Sequence, residues 1–515
     1  MNNKNESSRF INYSRNIFFA ILTQVVTIIV NLFGRRLFVS LISAEYVGLS
    51  GLFTSILTLL SLAELGVGTA IVYSLYKPIK ENDFEKIKSF MRLYKTTYRI
   101  IGVAILIIGV SITPFLKLFI KDVPEIDGIY IIYLLFVIQT ASSYFFSYKL
   151  NFLSATQNGY IVQLFRTVAV IIQVLIQSVI LILFKNYYAY LIIAIVVPII
   201  INAIACVYID KKYPFLKGKA EKLTPEDKKP IKKNICAMFL YKVSSTLSSS
   251  IDTILVSGFM GIAEVAIYSN YHLLLTYSDK LFSGVLGTIT PSLGNLLAED
   301  DEQNKVSVFK TMQFVYYWIA TYFAVGAIVL FNPFINVWIG ENYLFPKSIV
   351  VALVVSATIT NFQRPCALMR DAGGLFWHGK LRPIAMTVIN IVSSIIFVKI
   401  FGTIGVVLGT ICAKAFTYIW YDPLIVFKHA IKYKLSRYFI RYAFQWILLI
   451  ILVFICDLVY ALINMQGFWA LVVGFVEISV IVNGTMFAIF GRSEEFKYLK
   501  NKIKQLIVRK TKKVS

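Results

Sequence analysis

The chain has 515 residues, 58% of them hydrophobic, and its 51 lysines and arginines outnumber its 27 acidic residues to give a net charge of +24. An average soluble domain is about 45–50% apolar, so this composition excludes an ordinary soluble protein. The apolar residues fall in blocks of roughly 18–25, the length at which a helix crosses a bilayer core. The pattern predicts an all-α polytopic membrane protein.

Fourteen transmembrane helices are predicted in chain order, joined by short connections. With both termini in the cytoplasm, most lysines and arginines fall on the inner connections, as the positive-inside rule requires. The predicted spans cover 16–38, 46–76, 96–120, 129–153, 160–184, 187–209, 235–260, 264–297, 312–338, 346–369, 381–401, 403–427, 440–463 and 467–490.

The longest polar stretch, 210–234, holds nine lysines and three prolines and is predicted to be a basic cytoplasmic linker. It separates an N-terminal six-helix bundle over 1–209 from a C-terminal six-helix bundle over 235–428. Helices 13 and 14 follow within 429–491, and 492–515 form a basic cytoplasmic tail. We expect this tail to lie on anionic lipid headgroups rather than on nucleic acid.

Two of the first spans carry polar side chains at membrane depth, where such groups usually face a cavity or a partner. Glu64 lies in the apolar stretch "LLSLAELGVGTAIVYSLYK" of span two, on one face with Thr54, Ser61 and Gly68. Three interpretations stay open for it: a protonated carboxyl bonded to a neighbouring helix, an ion partner of a cavity cation, or a proton-coupling group. On span one, helical spacing places four residues on one face, namely Gln24, Thr27, Asn31 and Arg35.

The second half carries further charges inside predicted spans. Lys242 and Asp252 share a stripe on span seven, and Lys280 follows His272 and Thr276 on one face of span eight, next to Asp279. Four more charged residues are Lys414 in the middle of span twelve, Arg364 toward the inner end of span ten, and the pair Arg370 and Asp371, which we expect to be solvated.

The stripes of spans one, two, seven and eight predict a hydrated cavity. Its cations would be Arg35, Lys242, Lys280, Lys414 and Arg364, and they outnumber the carboxylates of Glu64, Asp252 and Asp279. A cationic cavity suits an anionic group such as phosphate. The structural alternatives are helix packing for the Ser and Thr residues and headgroup anchoring for Arg35.

Motifs for enzymatic chemistry do not occur in the sequence. It has no P-loop, no Gly-rich dinucleotide fingerprint and no Ser-His-Asp candidate set. The five cysteines and three histidines show no metal-ligand or redox spacing. We therefore expect a protein that is not an enzyme and has neither a metal nor a cofactor.

Several segments resemble the Wzx-type flippases of polysaccharide repeat units. They are residues 45–95, which contain "EYVGLSGLFTSILTLLSLAELGVGTA", and 370–411, together with "IDTILVSGFMGIAEVAIYSNYHLL" (251–274), "PSLGNLLAEDDE" (291–302) and "NPFINVWIGENYLF" (332–345). This resemblance implies the multidrug/oligosaccharidyl-lipid/polysaccharide exporter (MOP) superfamily, with two six-helix bundles in a V and two C-terminal helices added.

The resemblance also implies a function. An undecaprenyl-diphosphate-linked oligosaccharide would pass from the inner to the outer leaflet of a bacterial plasma membrane by alternating access, for capsule, O-antigen or exopolysaccharide synthesis. Basic cavity residues would receive the diphosphate, and by placement Arg35 and Lys280 match them best. Expected partners are membrane lipids, a glycan polymerase and other glycan-assembly proteins; a monomer suffices, and proton or sodium coupling stays unassigned. The alternatives are a drug or metabolite exporter, a membrane glycan polymerase and a non-transporting scaffold.

Overall fold

The computed structural model describes the chain except residues 1, 65–66, 125, 157, 219–222, 224–245, 248–249, 287–289, 298, 376–377, 380, 464 and 502–515. The described residues are almost entirely helical and contain no β-strand. Eleven of the described helices are long and apolar enough to cross a membrane. The all-α, multi-pass membrane class predicted from composition is therefore confirmed.

The helices follow one another with short connections. They are α1 Asn2–Leu41, α2 Ala44–Leu60, α3 Val67–Glu81, α4 Phe84–Ile112, α5 Ile129–Ala155, α6 Gly159–Phe184, α7 Tyr187–Lys212, α8 Ser250–Met260, α9 Ile262–Leu286, α10 Thr290–Leu297, α11 Glu302–Ile339, α12 Lys347–Ala372, α13 Leu381–Phe401, α14 Thr403–His429, α15 Leu435–Ala461 and α16 Gly467–Phe490.

One predicted span is divided in the structure. Span two, 46–76, ends as an α-helix at Leu60, continues as the 3₁₀ segment Ser61–Glu64 and resumes at Val67. Predicting it as one continuous helix was wrong, because a hydropathy window responds to apolar content and does not detect a break in the backbone. Span eight, 264–297, contains α9 and α10, and residues 287–289 between them lie outside the described part of the chain.

The chain forms two compact units, Met1–Leu286 and Gly287–Ser515. Helices α8 and α9 belong to the first unit, where α9 packs along α2. The bundle boundaries predicted from the sequence depend on the linker at 210–234, most of which lies outside the described residues. Those boundaries stay a prediction.

Small residues set the helix spacing in the first unit. A Cβ atom added to Gly48 of α2 would lie 2.1 Å from the carbonyl oxygen of Ile262, at the start of α9. A Cβ atom at Gly34 of α1 would lie 2.8 Å from Cγ1 of Val174 in α6. Glycines allow such close backbone approach between membrane helices, where dispersion contacts rather than water exclusion hold the helices together.

The second unit contains a Gly-x-x-x-Gly motif and a buried ion cluster. Gly405 and Gly409 of α14 pack so closely on α13 that added Cβ atoms would lie 2.1 Å from the Phe397 carbonyl oxygen and 2.3 Å from Ser394 Oγ. In the ion cluster, Arg370 Nη1 contacts both carboxylate oxygens of Asp422, at 2.8 and 2.9 Å.

Arg382 completes this cluster, since its Nη1 lies 3.0 Å from Asp422 Oδ2. Arg370 also contacts Asp371 through Nε and Nη2. The side chain of Arg370 is only 6% exposed and that of Asp422 is fully buried. The expectation that Arg370 is solvated was wrong, because its partner on α14 lies 52 residues away in the sequence.

Candidate functional site

The first unit encloses a cavity of about 610 Å³ between α1, α2, α5, α6, α7, α8 and α9. Hydroxyl and carboxamide groups supply much of its surface, together with a few aromatic rings. Its polar and charged lining residues are Gln24, Thr27, Asn31, Arg35, Ser50, Thr54, Ser55, Thr58, Gln139, Gln173, Gln177, Ser178, Ser250, Thr253, Ser269, His272, Thr276 and Lys280.

The polar faces predicted on spans one and eight meet in this cavity. All four residues singled out on α1 line it, and so do His272, Thr276 and Lys280 of α9. On α2 the lining residues include Thr54 but not Glu64. The helical period of 3.6 was sufficient to identify these faces, because a continuous helix keeps residues i, i+4 and i+8 on nearly one side.

Arg35 reaches from α1 to α9. Its Nε donates to Asn270 Oδ1 and its Nη2 donates to Ser269 Oγ, both at 2.8 Å. The guanidinium carbon also lies 5.8 Å from the centre of the Phe38 ring. These contacts fix the orientation of the guanidinium between α1 and α9.

Lys280 supplies the second cation. Its Nζ lies 5.8 Å from the centre of the Tyr277 ring, one turn earlier on α9. Within the described residues this ammonium forms no ion pair and no hydrogen bond to a side chain. Of the described residues that line the cavity, none is Asp or Glu. The lining therefore combines two cations with neutral polar groups.

The other candidate cations are not among the described residues that line this cavity. Lys414 belongs to the second unit, where its Nζ donates to the carbonyl oxygen and to Oγ of Ser356, at 2.7 and 2.8 Å. Arg364 is a half-buried residue of α12, also in the second unit. Lys242 lies outside the described residues. The structure thus brings together Arg35 and Lys280 from the five predicted cations.

The candidate carboxylates lie outside the lining as well. Asp252 is buried on α8, and Asp279 is exposed on α9. Glu64 lies on the 3₁₀ segment between α2 and α3, where its Oε1 accepts a hydrogen bond of 2.6 Å from the Tyr98 hydroxyl of α4. Tyr144 of α5 also forms a hydrogen bond with the Glu64 side chain, so the partners that the structure gives Glu64 are tyrosines on neighbouring helices.

The break after α2 is held by a third tyrosine. The Tyr94 hydroxyl donates to the Gly68 carbonyl oxygen at 2.9 Å and accepts from Asn151 Nδ2 at 3.2 Å. A larger residue at position 68 would have to displace the Tyr98 hydroxyl, because an added Cβ atom would lie 2.6 Å from its oxygen. The hydrogen bond from Tyr94 to Gly68 ties the beginning of α3 to α4.

We expect Tyr98→Phe to destabilise the first unit by about 0.5–1.5 kcal/mol, because the Glu64 side chain loses one of its two tyrosine donors. Glu64→Gln should lower the stability by less, since the carboxamide oxygen of the glutamine can still accept a hydrogen bond from Tyr98. Thermal unfolding of the purified protein in detergent checks both values. Tyr73→Phe, at an exposed tyrosine of α3, is the matched control, and equal melting temperatures for all variants would contradict the expectation.

Sequence analysis missed three glutamines of the lining. Gln139 of α5 and Gln173 and Gln177 of α6 lie in segments that were interpreted only as apolar spans. A signal was available, because Gln173 and Gln177 are spaced i, i+4 and so share a face. The same periodicity argument used for α1 identifies them once it is applied to uncharged residues.

Comparison with known proteins finds no matching family model and no matching curated protein. Several solved structures are similar. A multidrug resistance MATE family transporter of the MOP superfamily, in an inward-facing conformation, aligns with a TM-score of 0.62 and 17% identity over 79% of this chain and 97% of its own. Lipid II flippase MurJ, in an inward closed conformation, aligns with a TM-score of 0.61 and 15% identity over 92% of this chain and 100% of its own.

A third structure is a MOP superfamily transporter from Pyrococcus furiosus, described by the reverse polarity of its binding pocket. It aligns with a TM-score of 0.55 and 16% identity over 80% of this chain and 96% of its own. Identities this low establish a common architecture and leave the cargo open. This chain has the fold that MATE family transporters share with the lipid II flippase MurJ.

Proposed function

We propose that this protein is a flippase that moves an undecaprenyl-diphosphate-linked oligosaccharide from the cytoplasmic to the outer leaflet by alternating access. The observation that carries the proposal is the cavity of the first unit, whose described lining contains Arg35 and Lys280 and no carboxylate. A positive cavity at membrane depth favours an anionic cargo. Arginine and lysine are the side chains that proteins use to bind phosphate groups.

The remaining lining supports a cargo with a polar headgroup. Hydroxyl and carboxamide groups both donate and accept hydrogen bonds, which matches the hydroxyl groups of sugars. The lipid tail would stay in the bilayer while the diphosphate and the sugars occupy the cavity. No covalent step is needed for this transfer, so the protein acts as a transporter and not as an enzyme.

The solved structures of this fold include a protein with a lipid-linked cargo, the lipid II flippase MurJ. The MurJ alignment extends over 92% of this chain, whereas the MATE alignment extends over 79%. The Pyrococcus furiosus transporter is described by a pocket of reverse polarity, so pocket charge varies among proteins of this fold. The charge of the lining is then a better guide to the cargo than the fold is.

The proposal also covers the membrane, the orientation of the chain and the pathway. The membrane is a bacterial plasma membrane, with both termini in the cytoplasm and the basic tail on its inner surface. The polymer is a capsule, O-antigen or exopolysaccharide, and a glycan polymerase would use the translocated lipid. The bundle division at 210–234 belongs to the same proposal.

A drug or metabolite exporter is the alternative within the same fold. Such a pump for organic cations would have to place a positive cargo beside Arg35 and Lys280, where like charges repel. The cavity disfavours that cargo. A membrane glycan polymerase is disfavoured because the predicted outer connections are too short to hold a catalytic domain.

A transport experiment separates the two functions. Proteoliposomes containing the full chain should expose an undecaprenyl-diphosphate-linked N-acetylglucosamine to a membrane-impermeant galactosyltransferase at least about tenfold faster than empty vesicles. Such a difference corresponds to a barrier lowered by about 1.4 kcal/mol. The same vesicles should not move ethidium, an organic cation. Ethidium transport without lipid translocation would replace the proposal with the exporter alternative.

A further inference from the structure

The lining of the cavity falls into two levels along the helix axes. Helices α1 and α6 run parallel, because Thr27 meets Thr167 and Gly34 meets Val174. Helices α2 and α9 also run parallel, since Gly48 meets Ile262 and Gly51 meets Val265 and Ser269. Because α1 turns directly into α2 at residues 42–43, α9 runs antiparallel to α1.

This arrangement separates the two cations of the cavity. Arg35 contacts α9 at Ser269 and Asn270, and Lys280 follows Asn270 by ten residues on the same continuous helix. Ten residues of α-helix rise about 15 Å. Because α9 runs antiparallel to α1, Lys280 lies at the level of Gln24. Because α6 runs parallel to α1, Gln173 lies near the level of Arg35.

The level of Arg35, here called the amide end, comprises Arg35, Phe38, Gln173, Gln177 and Tyr190. Gln173 Nε2 donates to Gln177 Oε1 at 3.3 Å, and Gln177 Nε2 donates to the Tyr190 carbonyl oxygen at 2.9 Å. The Phe38 and Tyr190 rings are stacked, with centres 5.0 Å apart and planes 19° apart. A carboxamide pair thus borders an aromatic surface inside the cavity.

The opposite level, here called the lysine end, comprises Gln24, Tyr277 and Lys280. In the described structure neither the Gln24 carboxamide nor the Lys280 ammonium forms a hydrogen bond to the protein. Gln24 is half-buried at this level. In the predicted topology α1 enters from the cytoplasm, so the lysine end is the one nearer the inner leaflet.

We propose that the cavity is a bipartite site, in which the lysine end receives the diphosphate and the amide end binds the uncharged sugars attached to it. This inference rests on the proposed function. A lipid headgroup that enters from the inner leaflet meets Lys280 first, and its glycan extends toward Gln173. Carboxamides hydrogen-bond hydroxyl and acetamido groups in both directions, while aromatic rings offer apolar faces to the sugar rings. Gln173 is then a specificity-determining residue.

Two lipid probes test the division. Purified full-length protein in nanodiscs is titrated with undecaprenyl diphosphate, bare or carrying an N-acetylglucosamine disaccharide. Wild-type protein should bind the glycan-bearing lipid more tightly. Gln173→Ala should weaken binding of that lipid about five- to tenfold, the value of roughly one hydrogen bond, and leave the bare lipid unchanged. Lys280→Ala should weaken binding of both lipids by the same factor.

Controls and contrary outcomes keep the two proposals apart. Gln466→Ala, at an exposed residue before α16, should change neither affinity. If wild type binds both lipids equally, or Gln173→Ala weakens both or neither, the bipartite site is overturned while the flippase proposal stands. If wild type binds neither lipid, the flippase proposal fails and the bipartite site fails with it. A melting temperature of Gln173→Ala equal to that of wild type shows that its weaker binding does not come from lost folding.

Discussion

Replacing Lys280 with alanine should reduce translocation of lipid-linked glycan about 10- to 100-fold while leaving the amount of folded protein unchanged. Lys280 lines the cavity, and its ammonium forms no ion pair within the described residues, so its removal breaks no structural contact of that kind. A hydrogen bond that involves a charged group contributes roughly 1.5–3 kcal/mol, which corresponds to this loss of rate. The galactosyltransferase assay in proteoliposomes measures it.

The control separates cavity charge from total charge. Lys399→Ala removes an exposed lysine of α13 that does not line the cavity, and we expect it to transport like wild type. Lys280→Arg should retain part of the activity, because it keeps the positive charge and changes its geometry. If Lys280→Ala translocates the lipid at the wild-type rate, the assignment of the cavity as the diphosphate site is wrong.

The largest expected effect on stability comes from Asp422→Asn in the second unit. Asp422 is fully buried and joins Arg370 of α12 to Arg382 of α13, with nitrogen–oxygen distances of 2.8 and 3.0 Å. Asparagine keeps the shape but removes the charge, which leaves Arg382 without a carboxylate at this contact. Breaking one side of a buried ion cluster costs about 3–5 kcal/mol. Thermal and denaturant unfolding in detergent should show a marked loss of stability.

The neighbouring carboxylate provides the matched comparison. Asp371 also contacts Arg370, but its side chain is 38% exposed, so water replaces much of what Asp371→Asn removes. Losing this contact should lower the free energy of unfolding by no more than about 1 kcal/mol. Equal destabilisation by the two substitutions would show that burial does not set the strength of this cluster.

The periodic features of the chain were predictable, and the contacts between distant segments were not. The face of α1 that holds Arg35 and the face of α9 that holds Lys280 follow from spacing alone, because each is a local property of one helix. The break after Leu60 escaped prediction, since apolar residues continue on both sides of it. The glycines at 66 and 68 were the available signal.

Lys414 shows why depth alone is a weak guide to function. A lysine in the middle of a span predicts a functional site because burial without a partner is costly. In the structure Lys414 instead donates to the carbonyl oxygen and the hydroxyl of Ser356 on α12. A serine 58 residues earlier in the chain cannot be recognised as a partner from sequence spacing.

By itself the sequence determined the membrane class, most of the spans and the polar faces of α1 and α9, because hydropathy and helical period are local properties. Tertiary structure alone decided that Arg35 and Lys280 share a cavity, that Gln173 faces it with them, and that Glu64 bonds Tyr98 while Asp422 holds two arginines. The physical reason is that a buried polar group is stabilised by whichever partner lies within about 3 Å. Helix packing, and not distance along the chain, brings that partner there.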